Sequence, residues 1–260
     1  LTQLVDTSDE WITTRTGIKS RRVAVEETNA DLAEAAARQA MGLVEGGYCE
    51  APIDPESIDL VVYSTCTPDV LVPSCAALVR RRLGLVNAVA FDVNAACSGF
   101  IYAMSVAESM MAASAAGVAG AGRRNKVRRA LVIGSERLTR ITNWEDRTTC
   151  VLFGDGGGAA VVEWDEGRAG VLATFMKNDD DDANALTCPS AFDSSQPFGV
   201  NGVSKEAAVA GDPGNARIDE ELGVTEAVAA GRPRQSLFMH GQTIFKFAAS
   251  AMGNAIDEVC

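Results

Sequence analysis

The chain has 260 residues, a hydrophobic fraction of 47% and a formal net charge of -12 at pH 7. That is enough apolar material for one large or two small cores, which excludes the disordered and fibrous classes. The acidic balance argues against general nucleic-acid binding, which needs a basic face, and every apolar run is broken before the ~20 residues that cross a bilayer.

The first helix is expected in "DTSDEWITTRTG", where Thr7, Ser8, Asp9 and Glu10 read as a T-x-x-E capping box and Gly17 as a left-handed stop. "NADLAEAAARQAMGLV" is an amphipathic helix, "DLVVYST" a strand and "CAALVRRRLG" a helix. "NAVAFDV" reads as a buried strand leading into "SGFIYAMSVAESMMAASAA", a helix apolar on nearly every side, and "RALVIGSERLT" and "GAAVVEW" are two more strands. Strands alternating with helices over residues 1–164 predict an α/β layered domain around a buried sheet. Residues 165–260 read as the start of a second unit: a strand in "GVLATFMKN", an irregular polar insertion near 178–236, then a strand-like start and a long helix in "SLFMHGQTIFKFAASAMGNAIDEVC". A unit that has shown one strand and one helix is unfinished, so the chain is expected to be a fragment. No basic and apolar leader opens it, and a cytoplasmic protein without membrane segments is expected.

Seven cysteines occur without a C-x-x-C pair, which fits reduced thiols better than a disulfide framework or a zinc site. Cys97 stands apart because it lies where the strand "NAVAFDV" meets the following helix. At a helix N-terminus the open N–H groups and the positive dipole end favour a thiolate, and lower a cysteine pKa from roughly 8.5 to about 3.5–7.5. The alternative is an inert core cysteine, a common fate of a free thiol.

Other motifs carry less. "GDGGGA" has the letters of a dinucleotide fingerprint, but a strand follows it instead of a helix, so a tight turn is expected. "NDDDDAN" lacks the glycine and closing glutamate of a calcium loop and reads as a solvated run. The basic clusters "VRRRLG" (79–84) and "RRNKVRR" (123–129) read as a helix C-terminus and a loop, or alternatively as a docking surface for an anionic partner. His240 is the sole histidine; in "MHGQTIF", leading into a helix, it reads as structural and not as a partner base for Cys97.

Taken together, "LVDTSDEWITTRTGIKSRR", "STCTPDVLVPS", "FDVNAACSGFIYA", "GSERLTRITNWEDRTTCVLFGDGGGAAVV" and "HGQTIFKFA" resemble the β-ketoacyl-acyl-carrier-protein synthase III family in order and spacing. The resemblance implies a thiolase-like layered αβαβα fold with its second half truncated, normally a homodimer. It also implies an acyltransferase that condenses an acetyl-CoA or short branched acyl-CoA primer with malonyl-acyl carrier protein, giving 3-oxoacyl-acyl carrier protein, CoA and CO2, with no metal or other cofactor. It makes Cys97 the nucleophile, with its own backbone N–H in the oxyanion hole. Trp11, Arg15 and Arg147 would contact CoA, Gly241 and Phe245 would line the pantetheine tunnel, and Thr65, Leu138 and Phe153 would wall the acyl pocket.

The match departs from the family in places. Gln242 stands where an asparagine is common, and the family's catalytic histidine and asparagine motifs are expected beyond Cys260. The first strand of the family fold is likewise expected upstream of Leu1. Two alternatives stay open: a related synthase of polyketide, quinolone or hydroxymethylglutaryl chemistry, and a non-catalytic fragment that only binds CoA or a partner chain.

Overall fold

The computed structural model describes residues 1–49, 51–118, 126–167, 170–179, 184–189, 220 and 236–260. Its centre is a four-stranded sheet of β1 (Leu60–Ser64), β2 (Val89–Val93), β3 (Arg129–Arg137) and β4 (Asp155–Glu163) in the order β2-β1-β3-β4. β2, β1 and β3 run parallel and β4 runs antiparallel to β3. Parallel neighbours need crossovers, and helices α3 (Cys75–Arg82) and α4 (Gly99–Ala115) supply them.

Alternation along the strands decides which helix packs where. Val61 and Tyr63 of β1, with Leu131 and Ile133 of β3, face α3 and α2 (Asn29–Ala40), where Ala30, Ala33, Ala37, Met41, Cys75, Ala76 and Val79 are fully buried. Leu60, Val62, Ala130 and Val132 point the other way, onto Ala103, Ala107 and Met111 of α4. The small residues of α2 and α4 let each helix lie close to the sheet. A third, smaller cluster joins α1 (Asp9–Thr16) to the 144–152 segment through Ile12, Cys150, Val151, Trp11 and Trp144.

Local expectations change at four places. The cap of α1 is Ser8, whose hydroxyl accepts from the Trp11 N–H at 3.0 Å, while the Thr7 hydroxyl is buried without a partner. The full capping box belongs to α2, between Thr28 and Asp31. β2 lies at one edge of the sheet and is only partly covered, so it is not the buried strand its apolar composition predicts.

The glycine run is no turn: Gly156, Gly157 and Gly158 sit inside β4, opposite Glu136, Ser135 and Gly134. A Cβ on Gly157 would come within 3.0 Å of the Leu32 carbonyl oxygen and 2.9 Å of Ser135 Oγ, so α2 rests directly on a strand stripped of its side chain there. Finally, "GVLATFMKN" carries no strand, and Leu172 is exposed. Among the described residues no strand lies beside it to pair with.

The rest of the described chain is a two-stranded antiparallel pair, β5 (Leu186–Thr187) with β6 (Phe238–Met239), followed by α5 (Gly241–Val259), no residue of which is buried. Most of the 178–236 insertion, residues 180–183 of the acidic run and Arg123 to Asn125 of the second basic cluster lie outside the described residues.

Candidate active site

Cys97 lies in a short 3-10 turn, Ala96–Ser98, between the end of β2 and the first turn of α4. It is exposed, whereas Cys75 and Cys150 are buried, which removes the core-cysteine reading for Cys97 and assigns it to those two. Ala96 holds φ at 43°, a left-handed conformation that a non-glycine residue adopts only where its surroundings impose it. No side chain caps α4; the Gly99 N–H, the first of the helix, donates instead to the Ala96 carbonyl of the turn that bears Cys97. Gly99 fixes how closely the turn approaches the sheet: a Cβ there would fall 1.9 Å from Ser64 Oγ at the end of β1.

The chain leaving β1 runs past this turn. Thr65 extends the parallel ladder by donating its N–H to Val93 at 3.1 Å. Two side chains from elsewhere then hold Thr65 to Thr67. Glu136, near the end of β3, accepts from the N–H of Cys66 at 2.7 Å, the N–H of Thr67 at 3.0 Å and the Thr65 hydroxyl at 3.1 Å, and also from the Thr67 hydroxyl. Fully buried Asn29 donates to Thr65 Oγ1 at 2.8 Å and to the Thr67 carbonyl at 2.9 Å. Burial first, then the Glu136 carboxylate and the neighbouring Cys97 and Cys188 thiols, push the Cys66 thiol up to about 12. A second thiol therefore stands near Cys97, and it stays protonated at neutral pH.

Trp11, Arg15 and Arg147 form a separate cluster. The Arg15 and Arg147 guanidinium carbons lie 4.4 and 4.8 Å from the centroid of the Trp11 ring. Arg15 shares a helix face with Trp11 and donates to its carbonyl at 3.2 Å, whereas Arg147 arrives from a distant loop and donates to the Asp6 carbonyl at 2.8 Å. The result is an aromatic face with two planar cations at the surface.

The other expected positions are distributed differently. Thr65 is buried, and its hydroxyl belongs to the Glu136 and Asn29 network. Leu138 opens the 3-10 turn that ends β3, Phe153 immediately precedes the Gly154–Asp155 entry to β4, and both are half-buried. Gly241 opens α5, and Phe245 on the same helix is 75% exposed. That segment is tied back to the Leu138–Arg140 turn through the Leu237 N–H, which donates to the Ile141 carbonyl at 2.7 Å. His240 is exposed at the start of α5, its Nδ1 3.4 Å from the Thr243 hydroxyl.

Sequence reasoning missed the acidic residues that anchor this end of the sheet. Asp69 accepts from the N–H groups of Asn29 and Ala30 and Asp92 from those of Cys75 and Ala76, capping α2 and α3 from a distance. Asp155 binds the N–H groups of Ala24 and Thr139. A signal was present: an acid within or directly after an apolar strand, as in "FDV" and "GSER", needs donors once buried.

The basic cluster at the end of α3 is largely committed internally. Arg80 donates to the Ala88 and Val86 carbonyls, both at 2.6 Å, and Arg82 pairs with Asp31 at 2.7 Å. Among the described residues there is no group of three or more His, Cys, Asp or Glu side chains that could hold a metal ion, and no helix is long and apolar enough to cross a membrane.

Known proteins resemble this chain over most of its length. A family profile for 3-oxoacyl-[acyl-carrier-protein] synthase III matches residues 91–180. The β-ketoacyl-[acyl-carrier-protein] synthase III of Xylella fastidiosa is 40% identical over 259 residues, covering 99% of this chain and 64% of the relative. That of Caldanaerobacter subterraneus is 37% identical over 260 residues, covering 100% and 65%. Among solved structures, the β-ketoacyl-[acyl carrier protein] synthase III of Thermus thermophilus aligns with a TM-score of 0.69 at 35% identity, over 98% of this chain and 64% of that one. The priming β-ketosynthase of the R1128 polyketide biosynthetic pathway aligns with a TM-score of 0.69 at 31% identity, over 97% and 61%. The chain thus spans just under two thirds of the length of these relatives.

Proposed function

We propose that this chain belongs to the β-ketoacyl-acyl-carrier-protein synthase III family and carries the acyl-accepting half of an enzyme that starts fatty acid synthesis by condensing an acyl-CoA primer with malonyl-acyl carrier protein. The observation that carries the reading is the placement of Cys97, exposed in a strained turn at the start of α4, which no side chain caps. Its thiolate attacks the thioester carbonyl of acetyl-CoA or a short branched acyl-CoA, and the oxyanion of the tetrahedral intermediate is met by the Cys97 N–H. The carbon–sulfur bond to CoA then breaks, CoA leaves as the thiolate and takes a proton from solvent, and the acyl group stays on Cys97. Malonyl-acyl carrier protein loses CO2, and the resulting carbanion attacks the acyl-cysteine. A new carbon–carbon bond forms and the Cys97 thiolate is released with 3-oxoacyl-acyl carrier protein.

In this reading Trp11, Arg15 and Arg147 hold the nucleotide end of CoA, the indole stacking on the base while the guanidiniums meet the base or its phosphates. Gly241 and Phe245 line the route of the pantetheine arm, and Thr65, Leu138 and Phe153 close around the acyl chain. No cofactor beyond the CoA thioester is required. The edge strand β2, with exposed Val70, Leu71 and Val72 preceding α3, is the surface through which two copies would form a homodimer. The reaction belongs in the cytoplasm, where acyl-CoA and reduced thiols coexist.

A second reading, a priming synthase of polyketide chemistry, is favoured by the equal TM-score of 0.69 against the R1128 enzyme. Both readings share the acyl-cysteine. Incubation with acetyl-CoA or isobutyryl-CoA, followed by intact-mass analysis and peptide mapping, should place one acyl group on Cys97 and none on the other cysteines. Acylation that persists in Cys97→Ala would refute the assignment, and the carrier-bound product formed with malonyl-acyl carrier protein separates the two chemistries.

A further inference from the structure

The Thr65 to Thr67 segment has no hydrogen-bonded strand of its own beyond the Thr65 N–H, yet it passes the turn that bears Cys97. Its course is set by a carboxylate some 70 residues away in the sequence. Glu136 gathers two backbone N–H groups and two hydroxyls from three consecutive residues, and the Thr67 hydroxyl in turn accepts the Arg137 N–H at 2.8 Å. Such a carboxylate is acceptor-only, so each of those donors aims at a fixed point in space. No other side-chain type of that size accepts four donors at once. Ser64, just before the segment, is in turn the residue against which Gly99 is packed. A shift of the segment is therefore felt at the nucleophile within a few residues on either strand.

We propose that Glu136 is a positioning residue that locks Thr65 to Thr67 against the Cys97 turn and thereby sets the width of the space in which Cys97 accepts its acyl group. It acts through the loop and does not itself meet the substrate. The inference rests on the reading of Cys97 as the acylated residue. In Glu136→Gln one carboxylate oxygen becomes an NH2 group, which faces donors and repels them, and the wall relaxes outward. A hydrophobic pocket discriminates by about 10- to 200-fold per methylene when its walls are fixed. Relaxing this wall should shift the ratio of Cys97 acylation by hexanoyl-CoA over acetyl-CoA at least ~10-fold toward the longer primer. Thr67→Val, which removes one hydroxyl that Glu136 holds, should shift it in the same direction, and Thr67→Ser, which keeps the hydroxyl, should not.

The test measures single-turnover acylation of Cys97 by mass spectrometry with both primers, in the wild type and the three variants. It is paired with alkylation of Cys97 by iodoacetamide and by a bulky maleimide, a pair of probes that needs no CoA site. The expected result is a parallel shift toward the larger reagent in Glu136→Gln and Thr67→Val in both assays. A wild type that is alkylated but never acylated would overturn the acyl-transfer reading and leave the alkylation ratios to judge Glu136. An unchanged size preference in Glu136→Gln, or an equal loss of rate for small and large reagents, would overturn the positioning role.

Discussion

Gly99→Ala tests the contact that seats the Cys97 turn on the sheet. Gly99 has φ -56° and ψ -38°, ordinary helical values, so its lack of a side chain serves space and not backbone freedom. An added Cβ would stand 1.9 Å from Ser64 Oγ and 3.2 Å from Ser64 Cβ. Restoring a normal separation of ~3.5 Å demands a displacement of about 1.6 Å by the hydroxyl or by the helix. Ser64 is 5% exposed and lies between the two parallel neighbours of β1, so its hydroxyl has little room to rotate into. Overpacking of this kind costs roughly 1–3 kcal/mol, against a gain of at most ~1 kcal/mol from replacing glycine by alanine in a helix.

A net loss of about 1–2 kcal/mol is expected, with slower acylation of Cys97 because the start of α4 has moved. The double variant Ser64→Ala/Gly99→Ala removes the 1.9 Å clash and leaves only the 3.2 Å contact, so it should recover most of the loss. Urea unfolding followed by circular dichroism on both single variants and the double variant gives the coupling energy, expected at about 1–2 kcal/mol. A Gly99→Ala protein as stable as the wild type would refute the reasoning. So would a double variant no better than Gly99→Ala alone.

Three further outcomes follow from the same geometry. Trp11→Ala and Arg15→Ala should raise KM for acyl-CoA and leave kcat largely unchanged, since they would touch the remote nucleotide equally in ground and transition states. Base–aromatic stacking worth roughly 1–3 kcal/mol implies a ~5- to 100-fold effect for Trp11; unchanged KM values in steady-state assays would dismiss the placement. Gly157→Ala should lower the urea midpoint, equivalent to about 1–3 kcal/mol, because its Cβ meets the Leu32 backbone, whereas Gly158→Ala, with open space around it, should be close to neutral. The Cys66 and Cys75 thiols are raised on folding from 9.0 to about 12 and about 11, each mainly by burial. The native state therefore holds these protons more tightly, and the contribution to stability is complete below pH 9 and is lost as pH climbs through those values. Stability measured by urea midpoint should fall over that window, with a shallower slope in Cys66→Ala; an identical slope would argue against a raised Cys66.

Sequence alone was sufficient for what depends on neighbours along the chain. Helices α2 and α3 follow from 3.6-residue periodicity and from short polar caps, α4 from its length and apolar composition, and β1 and β3 from their β-branched composition. The strand-to-helix junction singled out Cys97, and a spacing of four put Trp11 and Arg15 on one face. Periodicity and capping are local, which is why they survive without coordinates.

What failed or was missed depends on order and register in the sheet. Nothing local tells β2 that it ends at an edge, because "VAFDV" would be equally apolar in the centre. The glycine run of β4 reads as a turn until α2 is placed on top of it, since the reason for Gly157 is the Leu32 backbone more than a hundred residues earlier. The meeting of Arg147 with Trp11, and the hold of Glu136 on Thr65 to Thr67, likewise join segments that share no pattern. Hydrophobic alternation is satisfied by any register that buries the same face, whereas a carboxylate with four donors is satisfied by one. Sequence therefore decides which segments become helices and strands, and only the tertiary structure decides which of them lie at an edge and which distant polar group each residue meets.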